Sequence, residues 1–149
     1  MKTVIISAFP ACGKTHAANH CRDKYSILDL DSRDFSADST FPENYLNHIK
    51  ENIGKYDVIF VSTHKAVREA LDAAELRYCT VYPQKTILNE WVGRLYCRGD
   101  SADFVQYIID NWDDFQTELW HENNHGIGTH FLDADEYLDA PLIDTLYEW

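Results

Sequence analysis

The chain has 149 residues, enough for one domain with a proper core, and its formal net charge is -12. A large nucleic-acid interface needs basic side chains that meet phosphates, so this charge argues against extended nucleic-acid binding. No apolar run is long enough to cross a membrane, and the first residues lack the order of a signal peptide. These features predict a cytoplasmic protein that does not act in the membrane.

Short apolar runs alternate with helical patterns along the chain. The predicted strands are residues 2–7, 26–30, 57–61, 77–83 and a short run within 129–134. The predicted helices are residues 13–21, a helix from Pro42, 64–74, a helix from about Thr86, a helix capped by Ser101, and 140–147. Because strand and helix alternate, we expect one α/β domain over residues 1–149, with a parallel sheet covered by helices on both faces.

Two of these helices carry long apolar stripes. In the helix from Pro42, the predicted inward face is Tyr45, Ile49, Ile53 and Tyr56. In the helix after Ser101, it is Phe104, Ile108, Trp112, Phe115 and Leu119. Aromatic residues at helical spacing are typical of a core-facing stripe, so we expect the second set to pack in the core rather than to stack on bases.

Residues 8–15 (AFPACGKT) carry the clearest chemical signal. They match the pattern G-x-x-x-x-G-K-[ST], except that Ala8 replaces the first glycine. The stretch follows a strand and opens a helix, which is the setting of a phosphate-binding loop. Its backbone N–H groups would bind phosphate, Lys14 would reach the β- and γ-phosphates, and the Thr15 hydroxyl would bind magnesium. Ala8 suits this loop if its φ is negative.

Two aspartates lie at the end of the second predicted strand, in the segment LDLDSRDF. Alternation along the strand places Asp29 and Asp31 on the same side, and ligands of parallel sheets bind beyond the carboxyl ends of the strands. Either carboxylate could orient an acceptor oxygen or a magnesium-bound water, or both could cap backbone donors in a turn. Arg33 is a candidate for binding an anionic group of the acceptor, or is an ordinary surface arginine.

The third predicted strand ends in VSTH, where no aspartate is available for the magnesium side of a phosphate site. Asp57 lies at the wrong end of this strand. Ser62 could donate a hydrogen bond to the substrate, and Lys65 and Arg68 could bind an anionic acceptor group. The alternative for Arg68 is an exposed helix charge.

Together with VYPQKTILNEWVGRLYCRGD, these segments resemble the small P-loop kinases, the nucleoside monophosphate kinase superfamily with its shikimate and gluconate kinase relatives. They also resemble small P-loop proteins of bacteriophages, which would place the protein in the host cytoplasm. The resemblance covers roughly residues 1–121. It implies a three-layer α/β/α P-loop NTPase fold, with a five-stranded, mostly parallel sheet in the order 2-3-1-4-5 and a short lid.

The resemblance also implies ATP and Mg²⁺ as cofactors, and phosphoryl transfer to a small molecule, either a nucleoside monophosphate or a nucleoside. Arg94 and Arg98 form an R-x-x-x-R pair on one helix face, where they could stack on adenine and clamp the transferred group. The implied catalytic residues are Lys14, Asp29, Asp31, Arg94 and Arg98. The implied nucleotide-binding residues are Ala11, Cys12, Gly13, Lys14, Thr15, His16 and Arg94. Acceptor binding is assigned to Arg33, Ser62, Lys65 and Arg68, and magnesium binding to Thr15 and Asp31.

Two other functions remain open at this stage. One is a kinase that acts on nucleic-acid 5′ ends, which the acidic charge opposes although a short end needs little surface. The other is a non-catalytic nucleotide-binding regulatory module. No N-K-x-D segment is present to specify guanine, which disfavours a GTPase.

Overall fold

A computed structural model describes residues 2–124 and 128–148, with side chains for all of these except 119–124. Within this part of the chain, strands and helices alternate as the sequence predicts. The strands are β1 Val4–Ala8, β2 Ile27–Asp29, β3 Val58–Val61, β4 Tyr78–Pro83 and β5 Thr129–Leu132. The helices are α1 Lys14–His20, α2 Glu43–Asn52, α3 Lys65–Ala73, α4 Leu88–Cys97, α5 Ala102–Asn124 and α6 Ala140–Tyr147.

The five strands form one sheet in the order β2-β3-β1-β4-β5. All four neighbouring pairs are parallel, which confirms the expected order and the parallel sheet. The central strand is β1, where Ile5 pairs with Ile59 of β3 on one side and with Tyr78 of β4 on the other. The carboxyl end of β1 therefore lies in the middle of one edge of the sheet.

Helices cover both faces of the sheet because its strands are apolar on both sides. Along β1, Ile5 packs in one cluster and Ile6 in the other, as alternation requires. Helices α2 and α3 cover the first face with Tyr45, Leu46, Ile49, Val67 and Leu71. Helices α1, α4, α5 and α6 cover the second face with Ala17, Trp91, Leu95, Ile108, Trp112 and Ile143.

Helix α2 ends earlier than its apolar stripe predicts. Tyr45 and Ile49 are buried, but the helix stops at Asn52 and Ile53 is 39% exposed. Gly54 follows with φ +89, a left-handed conformation that ends helices, and its N–H donates to the Thr3 hydroxyl. The prediction that Ile53 and Tyr56 continue the inward face of this helix was therefore wrong.

Helix α5 begins as predicted, because the Ser101 hydroxyl accepts a hydrogen bond from the Phe104 N–H at 3.1 Å. Ile108 and Trp112 are buried in the core, whereas the side chain of Leu119 lies outside the described residues. Phe104 and Phe115 are only partly buried against the core. Within residues 2–124 and 128–148, neither α5 nor any other helix is long and apolar enough to span a bilayer.

Candidate functional site

A cleft of about 740 Å³ opens at the carboxyl edge of the sheet. Its walls come from the segments that follow β1, β2 and β3, from the α4–α5 connection and from one side of α5. The predicted site residues that line it are Lys14, Thr15, Asp29, Asp31, Arg33, Ser62, Lys65, Arg68 and Arg98. A smaller cavity of about 490 Å³ lies at the opposite edge, near the start of β1 and β4, and none of the predicted site residues lines it. The structure thus brings most of the predicted residues to one place.

The loop between β1 and α1 presents open backbone donors. In the described part of the chain, the N–H groups of Ala11, Gly13, Lys14, Thr15 and His16 donate no hydrogen bond. The first turn of a helix leaves such donors unsatisfied, and together they attract an anion. Cys12 differs, because its N–H donates to the Phe9 carbonyl at 3.1 Å. The predicted contribution of Cys12 to nucleotide binding therefore cannot come from its N–H in this arrangement.

The loop backbone takes the conformations that its sequence permits, with one exception. Ala8 ends β1 and does not have a positive φ, so the missing first glycine is tolerated. Gly13 has φ +100, which glycine adopts without strain. Ala11 has φ +69, and a left-handed conformation costs a non-glycine residue about 1–2 kcal/mol. Such strain persists where the surroundings hold the loop firmly.

The Lys14 side chain folds back along the loop, where its Nζ donates to the Ala8 carbonyl at 3.0 Å. Burial lowers the pKa of Lys14 from its ordinary value, and the opposite charges of Asp29 and Asp31 partly offset that effect. Because burial penalises the charged ammonium, an anion placed in the loop would stabilise it. Lys14 is thus a desolvated cation at the mouth of the loop.

Cys12 is buried beneath the same loop. Its thiol donates to the Val81 carbonyl across 3.6 Å, and burial raises its pKa to about 12. The thiol is therefore protonated at neutral pH and is a poor nucleophile. This fits a small packing residue.

The two aspartates at the carboxyl end of β2 have different partners. The Thr15 hydroxyl donates to Asp29 Oδ2 at 3.1 Å, so these two oxygen groups lie together beside the loop. Asp31 instead accepts from Arg33, at 2.8 Å from Nε and 2.5 Å from the terminal nitrogen. These hydrogen bonds lower the pKa of Asp31. The sequence assigned magnesium to Thr15 and Asp31, but the carboxylate next to Thr15 is Asp29.

The residues after β3 are held by the protein itself. Ser62 Oγ accepts the His64 N–H at 3.1 Å, and Lys65 lies 3.8 Å from Glu69 one turn along α3. Arg68 is only 1% exposed, and its guanidinium contacts Glu118 of α5 at 2.9 Å. The alternative of an exposed helix charge is therefore excluded for Arg68, which joins α3 to α5 under the cleft.

Arg94 does not line the cleft but ties three segments together. Its guanidinium donates to the carbonyls of Ala11, Ala134 and Glu136, and so links α4 to the β1–α1 loop and to the segment between β5 and α6. It also lies 4.2 Å from the Trp91 ring and 3.7 Å from the Tyr137 ring. With these donors and faces engaged, Arg94 is placed to support the loop rather than to meet a phosphate.

We expect Arg94→Ala to lower the free energy of unfolding by about 2–3 kcal/mol, because several hydrogen bonds and ring contacts are lost together. Urea denaturation followed by circular dichroism measures this change. Arg77→Ala is the matched control, since Arg77 is exposed and should change stability by no more than about 0.5 kcal/mol. Equal effects of the two substitutions would contradict the conclusion that Arg94 ties these segments together.

Arg98 remains at the cleft. Its Nε donates to Asp100, and its side chain is 43% exposed. Arg98 and Lys14 both line the cleft, so the two cations face the same space. Only residues 98–101 separate α4 from α5, and this connection carries no extended flap over the cleft.

One wall of the cleft was missed at the sequence level. Tyr107, Asn111, Asp114 and Glu118 recur on one face of α5 and line the cleft, beside the half-buried Phe104 and Phe115. The signal was present as a polar stripe at helical spacing next to the apolar one. It was not recognised because the apolar stripe explains the helix without it.

Comparison with known proteins does not assign this chain to a family. The sequence matches no protein-family model, and no curated protein is significantly similar to it. The chemistry of the cleft must therefore be argued from its own residues.

Proposed function

We propose that this chain is a kinase that uses ATP and magnesium to phosphorylate a small molecule bound in the cleft. The observation that carries the proposal is that the β1–α1 loop and the first turn of α1 keep open N–H groups next to Lys14 and the Thr15–Asp29 pair. Backbone donors, a desolvated lysine and paired oxygen ligands are the components that bind the phosphates of a nucleotide.

The β1–α1 loop would hold the donor phosphates. The N–H groups of Ala11, Gly13, Lys14, Thr15 and His16 would replace water around the phosphate oxygens at little cost, since no protein acceptor competes for them in the described part of the chain. Lys14 would exchange the Ala8 carbonyl for phosphate oxygens and regain a charge partner. Arg94 would keep the loop in shape.

The oxygen groups of Thr15 and Asp29 suit a magnesium ion. Magnesium prefers oxygen ligands, and nucleotide sites hold it through one or two protein groups together with phosphates and water. No cluster of three or more metal-ligating side chains is present in the described residues, and a site shared with phosphates does not need one. When bound, magnesium neutralises charge on the phosphates.

Asp31 would orient the hydroxyl group of the acceptor. Hydrogen bonds from Arg33 lower the pKa of Asp31, so its carboxylate is a weak base that stays ionised. A weak base suffices for phosphoryl transfer, because the nucleophile forms little bond before the leaving group departs. Arg98 faces the same space as Lys14 and would stabilise charge on the transferred group.

We expect Arg33→Met to move the acid limb of kcat/KM to higher pH. The arginine favours the ionised form of Asp31, so its loss raises the pKa of Asp31 and activity is lost earlier as the pH falls. Initial rates between about pH 3 and 7 measure the limb, with Arg22→Met, just beyond the end of α1, as the control. An unchanged limb would contradict the assignment of Asp31.

The test of the proposal is ADP release from ATP and magnesium in the presence of nucleosides, ribo- and deoxyribonucleoside monophosphates, shikimate-like alcohols and 5′-hydroxyl oligonucleotides. We expect one acceptor class to stimulate ADP release and to appear as a phosphorylated product. Slow ADP release without any acceptor dependence would contradict a kinase and favour a nucleotide-binding module. Stimulation by oligonucleotides alone would indicate an end kinase.

A further inference from the structure

The cations at the acceptor end of the cleft already have carboxylate partners. Arg33 binds Asp31 through two nitrogens. The almost fully buried side chain of Arg68 pairs with Glu118, and the exposed Lys65 lies 3.8 Å from Glu69. The sequence offered these three residues as ligands of an anionic acceptor, but the structure places an acid beside each of them.

A monophosphate acceptor that binds Arg68 would have to break its pair with Glu118. Drawing Arg68 onto a phosphate would leave Glu118 as a partly buried carboxylate without its cation, and beside a dianion. Asp114 adds a further negative charge to the same wall, and it forms no ion pair within the described part of the chain. Like charges inside one cleft repel each other, so the acceptor end is unfavourable for a phosphate group.

The same wall offers aromatic surface instead. Tyr107 is 53% exposed, and its ring lies 6.4 Å from Phe104 and 6.0 Å from Phe115. Phe115 packs edge-on against the buried ring of Phe9, the first residue of the β1–α1 loop, at 5.5 Å, so the exposed ring of Tyr107 is anchored to the core. An exposed ring held in this way can stack on a planar ring of a ligand, whatever its charge.

An amide and a carboxylate stand beside these aromatic rings. Asn111 donates one N–H to the Tyr107 carbonyl of its own helix, which leaves its amide oxygen and a second N–H for a ligand. Asp114 offers carboxylate oxygens to hydroxyl or amino donors. An amide and a carboxylate beside aromatic rings match the edge of a nucleobase and the hydroxyls of a sugar.

Building on the proposed kinase function, we infer that the phosphoryl acceptor is a nucleoside rather than a nucleoside monophosphate. A sugar hydroxyl oxygen forms the bond to the γ-phosphorus of ATP as the bond from that phosphorus to the β–γ bridging oxygen breaks. ADP leaves with that oxygen, and the hydroxyl proton passes to Asp31 and on to water. The products are ADP and a nucleoside monophosphate.

The experiment compares nucleosides with their own 5′-monophosphates in the wild-type chain, with products separated by anion-exchange chromatography. We expect monophosphate product from at least one nucleoside, and a kcat/KM for monophosphates at least about 100-fold lower, as for a site that opposes an anionic group. Diphosphate formed at a comparable rate would overturn this inference and leave the kinase proposal intact. If the protein phosphorylates only alcohols that lack an aromatic ring, such as the shikimate-like ones, this inference would be overturned in the same way. No acceptor-dependent product at all would overturn the kinase proposal, and this inference with it.

Tyr107 gives a second, independent readout. We expect Tyr107→Ala to raise the KM for the nucleoside about 10-fold while kcat changes little, because stacking is lost in ground and transition states alike. Tyr107→Phe keeps the ring and should keep the wild-type KM. Tyr96→Ala is the matched control, since Tyr96 is equally exposed, at 54%, on α4 but does not line the cleft. If Tyr107→Ala and Tyr96→Ala have the same KM, the proposed stacking of the nucleoside on Tyr107 would be overturned.

Discussion

Lys14→Ala should lower the rate of phosphoryl transfer by about 10²–10³-fold, the loss seen when one preorganised charge donor is removed from a transition state. Lys14 is the first residue of α1, and its Nζ is held against the β1–α1 loop by the Ala8 carbonyl. Burial lowers the pKa of Lys14, so an anion bound beside its ammonium group would stabilise the charged form of the side chain. ADP release under single-turnover conditions measures the chemical step directly.

The control for this substitution is Lys50→Ala, which removes an exposed lysine from the last turn of α2. It should leave both the rate and the fold unchanged. Circular dichroism and a thermal melt of Lys14→Ala should show the native fold, because only one hydrogen bond of the lysine is lost. Normal turnover by a folded Lys14→Ala protein would rule out the β1–α1 loop as the phosphate site.

Asp29→Asn should raise the magnesium concentration needed for half-maximal activity by about 10-fold or more, the loss expected when a group that holds or orients a metal ligand is replaced. The amide of this variant would keep the shape of the carboxylate but not its charge. The hydroxyl of Thr15 would retain a neighbour yet lose the carboxylate that it contacts at 3.1 Å. Calorimetric titration of ATP with and without magnesium gives the same comparison without turnover.

Asp31→Asn is the comparison that separates the two carboxylates. It should raise the KM of the acceptor and lower kcat, while the magnesium requirement stays near that of the wild type. The reason is that Asp31 contacts Arg33 and not Thr15. If Asp31→Asn alone shifted the magnesium requirement, the original sequence assignment would be right and the one drawn from the structure wrong.

Local signals in the sequence were sufficient for most elements of the fold. The last helix was predicted at residues 140–147 and lies at Ala140–Tyr147, because Asp139 caps it by accepting the Leu142 N–H and Pro141 favours its first turn. The strands were readable because a sheet covered on both faces needs continuous apolar runs. The sheet order rested on the resemblance, and local patterns alone would not have supplied it.

The candidate site was predictable where it follows strand ends, and unpredictable where distant segments meet. Asp29 and Thr15 were found because each lies next to a readable element. The pair Arg68–Glu118 joins residues 50 apart, and Arg94 reaches a carbonyl 40 residues further along the chain. No spacing rule links such positions, so the sequence could offer these arginines as ligands but could not reveal that they are engaged elsewhere.

The central place of β1 has a consequence for synthesis on the ribosome. This strand is made before the other four, yet its two neighbours are β3 and β4, so one of its edges stays unpaired until Tyr78–Pro83 has left the exit tunnel. Until then the nascent chain presents the apolar segment VIISA with an open edge, the kind of surface on which chains aggregate. The β1–α1 loop cannot take its final conformation before β4 emerges either, since the Phe9 N–H donates to the Val81 carbonyl. Translation pauses before residue 83 should therefore make this protein dependent on chaperones.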